Sequence, residues 1–376
     1  MKKIGIYVHF PFCVQKCNYC NFNSYANKSE LQLDYFQALL REIEMYSDSK
    51  KIQIDSIFIG GGTPSAMFDG CISTVLSHIR KNFVLTQDCE ITVEANPNSL
   101  SVTKCREWKE SGVNRVSVGL QTTNPNALKI IGRVHGKKEY CDAITNLQSV
   151  GINNINTDCL IGLPRQKLSD VRRTLELVTK LGCSHISVYS LILEEDTPLY
   201  DMVRSGVVKL PKEEKTLGMY NFALKFLKEK GLVRYEVSNF ARPGYECRHN
   251  MNTWRMHEYL GFGAGAHSYY DNVRYSNVEN IEDYIYLITN KKVPVECREK
   301  LSKQEKVEET IMLGLRTTEG IDIADIKKTY GIDLRLVKKK QIENLLSLGL
   351  IKVVYDKISA TDLGFTVLNK IIVELV

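Results

Sequence analysis

Three cysteines near the start of the chain have the spacing of a metal-binding loop. Cys13, Cys17 and Cys20 fit the pattern C-x₃-C-x₂-C, and Tyr19 precedes the last of them. Cysteine thiolates are the usual ligands of iron–sulfur clusters, and a [4Fe–4S] cluster with a full set of protein ligands takes four. A loop that supplies three therefore predicts a cluster with one iron left open to another ligand.

An open iron of this kind could bind the amino and carboxylate groups of S-adenosylmethionine (SAM). An electron from the cluster would then cleave the sulfonium C–S bond and release a 5′-deoxyadenosyl radical. The alternative is a structural zinc site, for which His9 is the obvious fourth ligand. The spacing of the cysteines and the aromatic residue before the last one are uncommon outside radical SAM chemistry, and they favour the cluster.

The sequence predicts that repeated βα units position this loop. Short runs rich in β-branched residues alternate with segments of helical period, which is typical of a parallel sheet. Six units in succession predict an α/β fold with a partial (β/α)6-type barrel. The predicted strands are Ile4–Val8, Ile54–Ile59, Glu90–Glu94, Arg115–Leu120, Ile155–Ile161 and His185–Leu191. The predicted helices are Leu31–Tyr46, Ser65–Phe83, Ser99–Ser111, Lys137–Val150 and Leu168–Leu181, with Gly112, Gly151 and Gly182 as C-terminal stops.

Polar groups follow the predicted strands at the edge where a β/α barrel carries its active site. These groups are Tyr7 and His9, the run Gly60–Pro64, Glu94, Gln121, Asp158, Tyr189 and Ser190. The glycine run would let the backbone approach SAM closely, Glu94 could accept hydrogen bonds from a ribose diol, and Arg133 could pair with a carboxylate. Each residue alone also fits a structural role, such as a tight turn or a helix N-terminal acid. Together with the cysteine loop they predict a binding site.

The remainder of the chain divides into two further regions. Residues 1–240 are predicted as the barrel, ending with a helix Lys212–Lys230 and a strand Arg234–Asn239. Residues 241–300 are predicted as a connecting region in which Arg242–Ser268, rich in glycine, asparagine, histidine and aromatic residues, is a functional loop. Residues 301–376 are predicted as a small winged-helix-like domain. Its predicted elements are helices Glu305–Leu315, Ile323–Tyr330 and Leu336–Leu348, a hairpin Ile351–Ser359 and a last helix from Asp362.

The charge distribution argues against nucleic acid as a partner. Winged-helix domains commonly bind DNA, but residues 301–376 carry 12 basic and 11 acidic residues, a net charge of +1. A duplex-binding surface needs a clear excess of positive charge. Even with the run Lys338–Lys340, a packing or lid role is the better interpretation of this domain.

The composition indicates a cytoplasmic protein. The chain has no run near the ~18 apolar residues that span a bilayer, which leaves only peripheral contact with a membrane open. His9 and Pro11 interrupt the N-terminal apolar stretch, and no signal cleavage site follows. In a reducing compartment the eleven cysteines should be thiols or metal ligands. The eight outside the loop are interpreted mainly as small buried apolar residues.

Several longer motifs resemble the HemN/HemW family of radical SAM proteins, which comprises oxygen-independent coproporphyrinogen III dehydrogenase and its haem-chaperone relative. The resemblance covers essentially the whole chain, because the last domain also looks like the HemN C-terminal domain. The motifs are Tyr7-Val-His-Phe-Pro-Phe-Cys13, Gly60-Gly-Gly-Thr-Pro-Ser65, Glu94-Ala-Asn-Pro97, Val118-Gly-Leu-Gln121, Gly132-Arg-Val-His135 and Asp158-Cys-Leu-Ile-Gly-Leu-Pro164.

The resemblance implies ligands for both cofactors. It assigns the [4Fe–4S] cluster to Cys13, Cys17 and Cys20. It assigns SAM contacts to Tyr7, Tyr19, Gly61, Gly62, Thr63, Glu94, Gln121, Arg133 and Asp158. The dehydrogenase holds two SAM molecules, and that number is not carried over to this chain.

Two differences favour the haem-chaperone branch of the family over the dehydrogenase. The dehydrogenase has a further cysteine two positions after the last ligand, where this chain has Phe22. The dehydrogenase also has a long segment before the cluster loop, whereas this chain reaches Cys13 almost at once. In addition, His249-Asn250-Met-Asn-Thr253-Trp254 resembles the chaperone pattern H-N-x-x-Y-W, with Thr253 at the tyrosine position. An imidazole can ligate haem iron and an indole can pack on the macrocycle. His249, Asn250 and Trp254 are therefore the predicted haem residues, with His267 in reserve.

Three functions are compatible with these features. The first is a haem chaperone that carries haem as cargo to a recipient apo-protein and uses the cluster and SAM as cofactors. The second is a coproporphyrinogen III dehydrogenase, in which the radical would abstract hydrogen from propionate side chains before decarboxylation. The third is a nucleic-acid binder acting through the C-terminal domain, which its charge disfavours.

Overall fold

Six parallel strands form the centre of the structure, as the sequence predicts. The computed structural model describes residues 1–46 and 52–376. The six strands follow one another in the order β1-β4-β5-β6-β7-β8. The strands of the described residues are β1 Lys2–Phe10, β2 Phe12–Cys13, β3 Tyr25–Ala26, β4 Ile52–Gly61, β5 Val84–Ala95, β6 Arg115–Gln121, β7 Asn154–Ile161, β8 His185–Ser190, β9 Val233–Arg234, β10 Asn239–Ala241, β11 Tyr259–Phe262, β12 His267–Tyr270, β13 Val273–Asn277, β14 Val295–Lys300, β15 Ile321–Asp322, β16 Ile351–Val354 and β17 Lys357–Ala360.

Helices cover the outside of the parallel strands. They bury their apolar faces against the sheet, as α6 does with Val171, Leu175 and Val178. The α-helices of the described residues are α1 Gln32–Met45, α2 Cys71–Asn82, α3 Val102–Glu110, α4 Pro125–Ile130, α5 Lys137–Ser149, α6 Leu168–Lys180, α7 Pro198–Arg204, α8 Glu213–Glu229, α9 Arg248–Trp254, α10 Ile281–Thr289, α11 Lys303–Gly314, α12 Ile323–Tyr330, α13 Leu334–Val337, α14 Lys339–Ser347, α15 Asp362–Phe365 and α16 Leu368–Leu375.

The side-chain pattern of β6 shows how the sheet separates the core from the site. Successive residues of a strand point to opposite faces. Val116, Val118 and Leu120 are fully buried in the main apolar core under the helices. Their neighbours Arg115, Ser117, Gly119 and Gln121 line the cavity on the other face of the strand. The concave side of the barrel is therefore polar, although the strand as a whole is buried.

The predicted helix Ser65–Phe83 is wrong at its N-terminus. The helix begins at Cys71, and a 3₁₀ turn, Pro64–Ala66, precedes it. Ser65 is buried, and its Oγ accepts hydrogen bonds from the Asn96 backbone N–H at 3.0 Å and the Ser99 hydroxyl at 2.5 Å. These contacts hold the turn against the next βα connection, so the helix begins six residues later than the polarity pattern predicts.

The predicted strand Arg234–Asn239 is also wrong. It is a tight antiparallel hairpin, with β9 and β10 paired through Arg234 and Phe240, and β10 adds to β8 in the antiparallel direction. The segment predicts a strand because Tyr235 and Val237 alternate with polar residues. However, the carboxylate of Glu236 accepts a hydrogen bond from the Ser238 N–H at 3.1 Å, and this local bond favours a turn.

The region between the barrel and the last domain is more ordered than the sequence predicts. Arg242–Ser268, interpreted as a loop, contains α9, and β11 pairs in parallel with β1. Strands β12, β13 and β14 continue the sheet in antiparallel order, so that it has twelve strands in the described residues. β11 is only four residues long, which is too short to show the periodicity of a strand.

The last domain has its own core and the predicted winged-helix elements. The predicted hairpin Ile351–Ser359 corresponds to β16 and β17, and β15 completes a three-stranded sheet. The predicted last helix from Asp362 is two short helices, α15 and α16. An antiparallel bridge between Glu236 and Thr317 joins the domain to the barrel. A search of the described helices finds none with the length and apolarity needed to cross a membrane.

Candidate functional site

A cavity of about 690 Å³ opens at the C-terminal ends of the parallel strands and continues into the barrel. It brings together the three cysteines and all but one of the residues that the sequence assigns to SAM. The residues of both sets that line it are Cys13, Cys17, Cys20, Tyr19, Gly61, Gly62, Thr63, Glu94, Gln121, Arg133 and Asp158. Tyr7 is not part of the lining, and its hydroxyl lies 2.9 Å from Nδ1 of His9.

The cysteine loop is attached to the glycine run that follows β4. The backbone N–H groups of Gly62 and Thr63 donate hydrogen bonds of 2.8 Å to the carbonyl oxygens of Phe10 and Phe12. The Thr63 hydroxyl lies 3.5 Å from Sγ of Cys13. A Cβ at position 62 would lie 2.6 Å from the Phe12 carbonyl oxygen, so only glycine allows this close approach.

The three thiols lie in a partly desolvated environment next to one positive charge. Burial raises the pKa of Cys13 and of Cys17, and Arg133 opposes that rise in both cases. Thiolates are the form that binds metal, so iron would have to displace these protons. The guanidinium of Arg133 would then offset part of the negative charge of three thiolates.

The contacts of His9 disfavour the zinc alternative. Its Nε2 lies 2.8 Å from the carbonyl oxygen of Asn23, which can only accept, so Nε2 carries the proton. Nδ1 then accepts from the hydroxyl of Tyr7, and neither nitrogen is free to ligate a metal. Within residues 1–46 and 52–376, no three histidine, cysteine or acidic side chains converge closely enough for one ion. In a four-iron cluster each thiolate binds a different iron, so the three cysteines need not converge on one ion.

Glu94 lies against the glycine run at the end of β5. Its Oε2 accepts a hydrogen bond from the Gly61 N–H at 3.3 Å. Burial and the nearby Asp158 raise the pKa of Glu94 to about 8. Gly61 has a φ of +113°, and a Cβ there would lie 2.7 Å from the His9 ring. This carboxyl group can therefore exchange a proton near neutral pH, and a larger residue cannot replace the glycine beside it.

Gln121 ends β6 in a conformation that non-glycine residues rarely adopt. Its φ is +66°, and the pairing of β6 with β7 shifts register just before it. A Cβ on Gly119 would lie 3.0 Å from Gln121 Nε2 and 3.2 Å from a terminal nitrogen of Arg133. Strained backbone of this kind is characteristic of binding sites. The strain directs the Gln121 amide into the cavity beside Arg133.

Arg133 and Tyr19 form a pair at the mouth of the cavity. The guanidinium donates a hydrogen bond to the Tyr19 hydroxyl at 3.3 Å. Burial raises the pKa of Tyr19 to about 12, while Arg133 lowers it. The Tyr19 ring packs against Ala127, Leu128 and their neighbours, which fixes the last turn of the cysteine loop on the barrel.

Asp158 belongs to a polar network inside the barrel that the sequence does not predict. Its carboxylate accepts hydrogen bonds from Asn156 Nδ2 at 2.7 Å and Ser117 Oγ at 3.2 Å. Asn156 Oδ1 in turn accepts from His185 Nδ1 at 2.6 Å and Ser187 Oγ at 3.1 Å. Burial raises the pKa of Asp158, and these hydrogen bonds lower it. The signal in the sequence is the alternation of polar and apolar residues along β6 to β8, which strand ends alone do not reveal.

The structure does not bring the four predicted haem residues together. His249 lies inside the barrel, where its Nδ1 is 3.2 Å from Ser56 Oγ and its ring packs on Phe58 at 5.4 Å. Burial lowers the pKa of His249 to about 4. Asn250 lines the cavity, Trp254 packs beside Met251 outside it, and His267 is exposed at the start of β12. His249 in this conformation has no open side to which a haem could bind.

Family models match both parts of the chain. Residues 7–178 match the Radical SAM superfamily, and residues 301–367 match the HemN C-terminal domain. A radical SAM domain implies a [4Fe–4S] cluster and SAM, and the cysteine loop and the cavity described above fit both. The fold and the site thus define a radical SAM protein with a HemN-type C-terminal domain.

Curated relatives define the family more closely. The chain is 36% identical to the heme chaperone HemW of Bacillus subtilis over 92% of both chains. It is 34% identical to the heme chaperone HemW of Lactococcus lactis, with 98% of this chain and 96% of that protein covered. The chain belongs to the HemW family.

A solved structure shows the same fold in an enzyme. Coproporphyrinogen III oxidase (HemN) from Escherichia coli, a radical SAM enzyme, has a TM-score of 0.87 and covers 100% of this chain and 90% of its own. At 21% identity this similarity concerns the fold, and it confirms the predicted barrel and C-terminal domain.

Proposed function

We propose that this chain is a haem chaperone that binds haem and transfers it to a recipient apo-protein in the cytoplasm. The observation that carries the proposal is the similarity to heme chaperones HemW over nearly the whole length of the chain. The cysteine loop at the mouth of the cavity supports it, because the chain keeps the complete ligand set for the cluster. Nucleic acid is not part of the proposal.

Cys13, Cys17 and Cys20 would hold the [4Fe–4S] cluster, and one iron would remain for SAM. When bound, the cluster and SAM supply one-electron cleavage of the sulfonium C–S bond. The amino-acid part of SAM would lie against the backbone at Gly61, Gly62 and Thr63. Glu94 would contact the ribose of SAM, and Tyr7 would act through His9. The polar parts of SAM would be contacted by Tyr19, Gln121, Arg133 and Asp158.

Haem would bind at the mouth of the cavity rather than at His249. Val14, Phe22 and Val134 line the mouth and are 78%, 67% and 59% exposed, which is unusual for apolar side chains on one rim. Asn23 Nδ2 donates to the Ala264 carbonyl oxygen at 3.2 Å, so the segment leading to His267 lies beside the cysteine loop. His267 thus offers an exposed imidazole near an apolar surface, and these are the two features that haem requires.

Haem titrations followed through the Soret band test this proposal. The protein is reconstituted anaerobically with iron and sulfide, and wild type is compared with His267→Ala and His249→Ala. We expect saturable binding by wild type, a shifted Soret maximum or weaker binding for His267→Ala, and little change for His249→Ala. Absence of saturable haem binding by wild type would refute the chaperone proposal. An effect of His249→Ala alone would indicate that haem binds at His249 in α9.

The second candidate is a coproporphyrinogen III dehydrogenase, which the full-length fold similarity to HemN favours. The same reconstituted protein would then decarboxylate coproporphyrinogen III in the presence of SAM and a reductant. Repeated turnover in that assay would favour the dehydrogenase function over the chaperone function.

A further inference from the structure

A buried arginine lies at the end of the cavity opposite the cysteine loop. Arg115 begins β6 and Gln121 ends it, so about 20 Å of strand separates them at ~3.3 Å per residue. Arg115 is 2% exposed, and it lines the cavity. We call the surface formed by Arg115, Asn156, His185, Ser187 and Asn250 the cavity floor; all five residues line the cavity.

The guanidinium of Arg115 has no partner among the residues that the structure describes. Its Nε is buried without a hydrogen bond, and no ion pair or hydrogen bond joins its other nitrogens to a described side chain or carbonyl group. A buried charge without a partner is costly, so buried arginines are nearly always paired. The five N–H donors of Arg115 are therefore available to a molecule in the cavity.

The acids nearest to Arg115 are already used by other groups. Glu90 accepts hydrogen bonds of 3.1 Å from the backbone N–H groups of Arg248 and His249, and so caps the first turn of α9. Asp158 accepts from Asn156 and Ser117. Both carboxylates influence Arg115 only at a distance, and neither is within ion-pair range of it.

We propose that the cavity floor is a binding subsite for one carboxylate group, which Arg115 holds through its two parallel N–H donors. The planar guanidinium fork matches the two oxygens of a carboxylate. The ligand would be a small linear organic acid that places its acid group beneath the SAM site. The proposal is independent of haem binding, since it rests on the barrel interior alone.

The other groups on the floor argue for a carboxylate rather than a phosphate. Asn156 donates to Asp158 and to Ser117, and Ser187 donates to Asn156, so few further donors are free. A phosphate has more oxygens to satisfy and a larger negative charge. Glu90 and Asp158 would repel that second charge, whereas a single negative charge balances Arg115.

The test compares butyrate with butyramide, its neutral analogue, on the cluster-loaded, SAM-saturated protein at constant ionic strength. Saturating SAM keeps the upper part of the cavity occupied, so added butyrate reports on the floor. We expect butyrate, but not butyramide, to raise the melting temperature and to bind in calorimetry. Arg115→Met should weaken butyrate binding by about tenfold or more, because a charge-assisted bidentate pair is lost.

Two further variants separate binding from structural effects. Lys104→Met removes another cation from the cavity lining, one whose Nζ already donates to the Ser65 carbonyl oxygen at 2.9 Å, and it should leave butyrate binding unchanged. Arg115→Lys keeps the charge without the fork and should bind butyrate more weakly than wild type even if Arg115→Met does not fold. Equal effects of butyrate and butyramide on wild type, or unchanged butyrate affinity in a folded Arg115 variant, would overturn the proposal. The SAM-dependent change in the cluster's EPR spectrum reports separately on the proposed SAM site.

Discussion

Cys13, Cys17 and Cys20 differ from the other cysteines in their surroundings. The three line an open cavity, whereas Cys71, Cys105 and Cys183 are buried in the main core. Substituting alanine for any one of the three should abolish most of the iron bound after reconstitution, since no neighbouring thiol can take its place. Iron and sulfide analysis would measure the loss.

Buried cysteines provide the matched control for that experiment. Cys71→Ala, Cys89→Ala and Cys183→Ala each remove a thiol of the same chemistry without touching the loop, and should keep nearly full iron content. Similar iron loss in both groups, or stoichiometric zinc in place of iron, would contradict the cluster assignment.

A substitution at Gly61 tests the predicted SAM site. Gly61→Val should abolish the SAM-dependent change in the EPR spectrum of the cluster, because a Cβ there meets the His9 ring and the φ of +113° disfavours any side chain. Glu94→Ala should weaken SAM binding less, by the ~1.5–3 kcal/mol of a hydrogen bond to a charged group. Gly218→Val is the control, because a Cβ at Gly218 would contact nothing within 4 Å. An unchanged EPR response in Gly61→Val would show that SAM lies elsewhere.

At this scale the sequence predicts the strand-end residues well but misses the barrel interior. Glu94, Gln121 and Asp158 stand out because each is a polar end on an apolar strand. Asn156 and His185 are not strand-end residues, so only the alternation of polar and apolar residues along β7 and β8 could have identified them. The position of His249 is not predictable for a related reason: a motif gives residue types but not the part of the barrel in which they lie.

Helix α9 has a buried neutral histidine at its start, and this makes the stability of the protein depend on pH. Burial lowers the pKa of His249 from 6.5 to about 4, so the unfolded chain binds a proton in a range where the folded chain does not. Its contribution to stability is complete above pH 6.5 and is lost as the pH falls towards 4.

Urea denaturation at several pH values would measure this effect. The unfolding free energy of wild type should fall by up to about 3 kcal/mol more between pH 6.5 and 4 than that of His249→Gln. His135 is a second histidine whose pKa burial lowers to about 4. The pH profile of His135→Gln therefore shows how much of the wild-type pH dependence comes from that residue. Parallel pH profiles of wild type and His249→Gln would mean that His249 is not the group responsible.

The elements themselves were predictable where periodicity was strong. The six parallel strands and the long helices follow from alternating apolar runs, with Gly112, Gly151 and Gly182 in left-handed conformations at the helix ends. The hairpin of β9 and β10 and the short strand β11 escaped prediction. Strands of two to four residues have too few positions to show a period, and tertiary pairing determines them.

The barrel and the last domain meet at a buried arginine. Arg234 donates to Asp362 at 2.6 Å and lies 3.8 Å above the centre of the Phe365 ring. Arg234→Leu should lower the unfolding free energy by about 1–2 kcal/mol, through loss of the ion pair and of the cation–π contact. Chemical denaturation would measure this decrease in the unfolding free energy.

An exposed ion pair in the same domain serves as the control. Arg335 and Asp356 are about half exposed, so Arg335→Leu should change stability by less than about 0.5 kcal/mol. An equal effect of both substitutions would mean that the contact between the domains contributes little stability.

We propose that the whole molecule handles haem as cargo on a radical SAM framework. The most direct test gives one anaerobically reconstituted preparation, with SAM and reductant, both haem and coproporphyrinogen III, and follows both tetrapyrroles by absorbance and mass spectrometry. We expect a saturable Soret signal from bound haem and no decarboxylated product. Repeated conversion of coproporphyrinogen III without haem binding would contradict it.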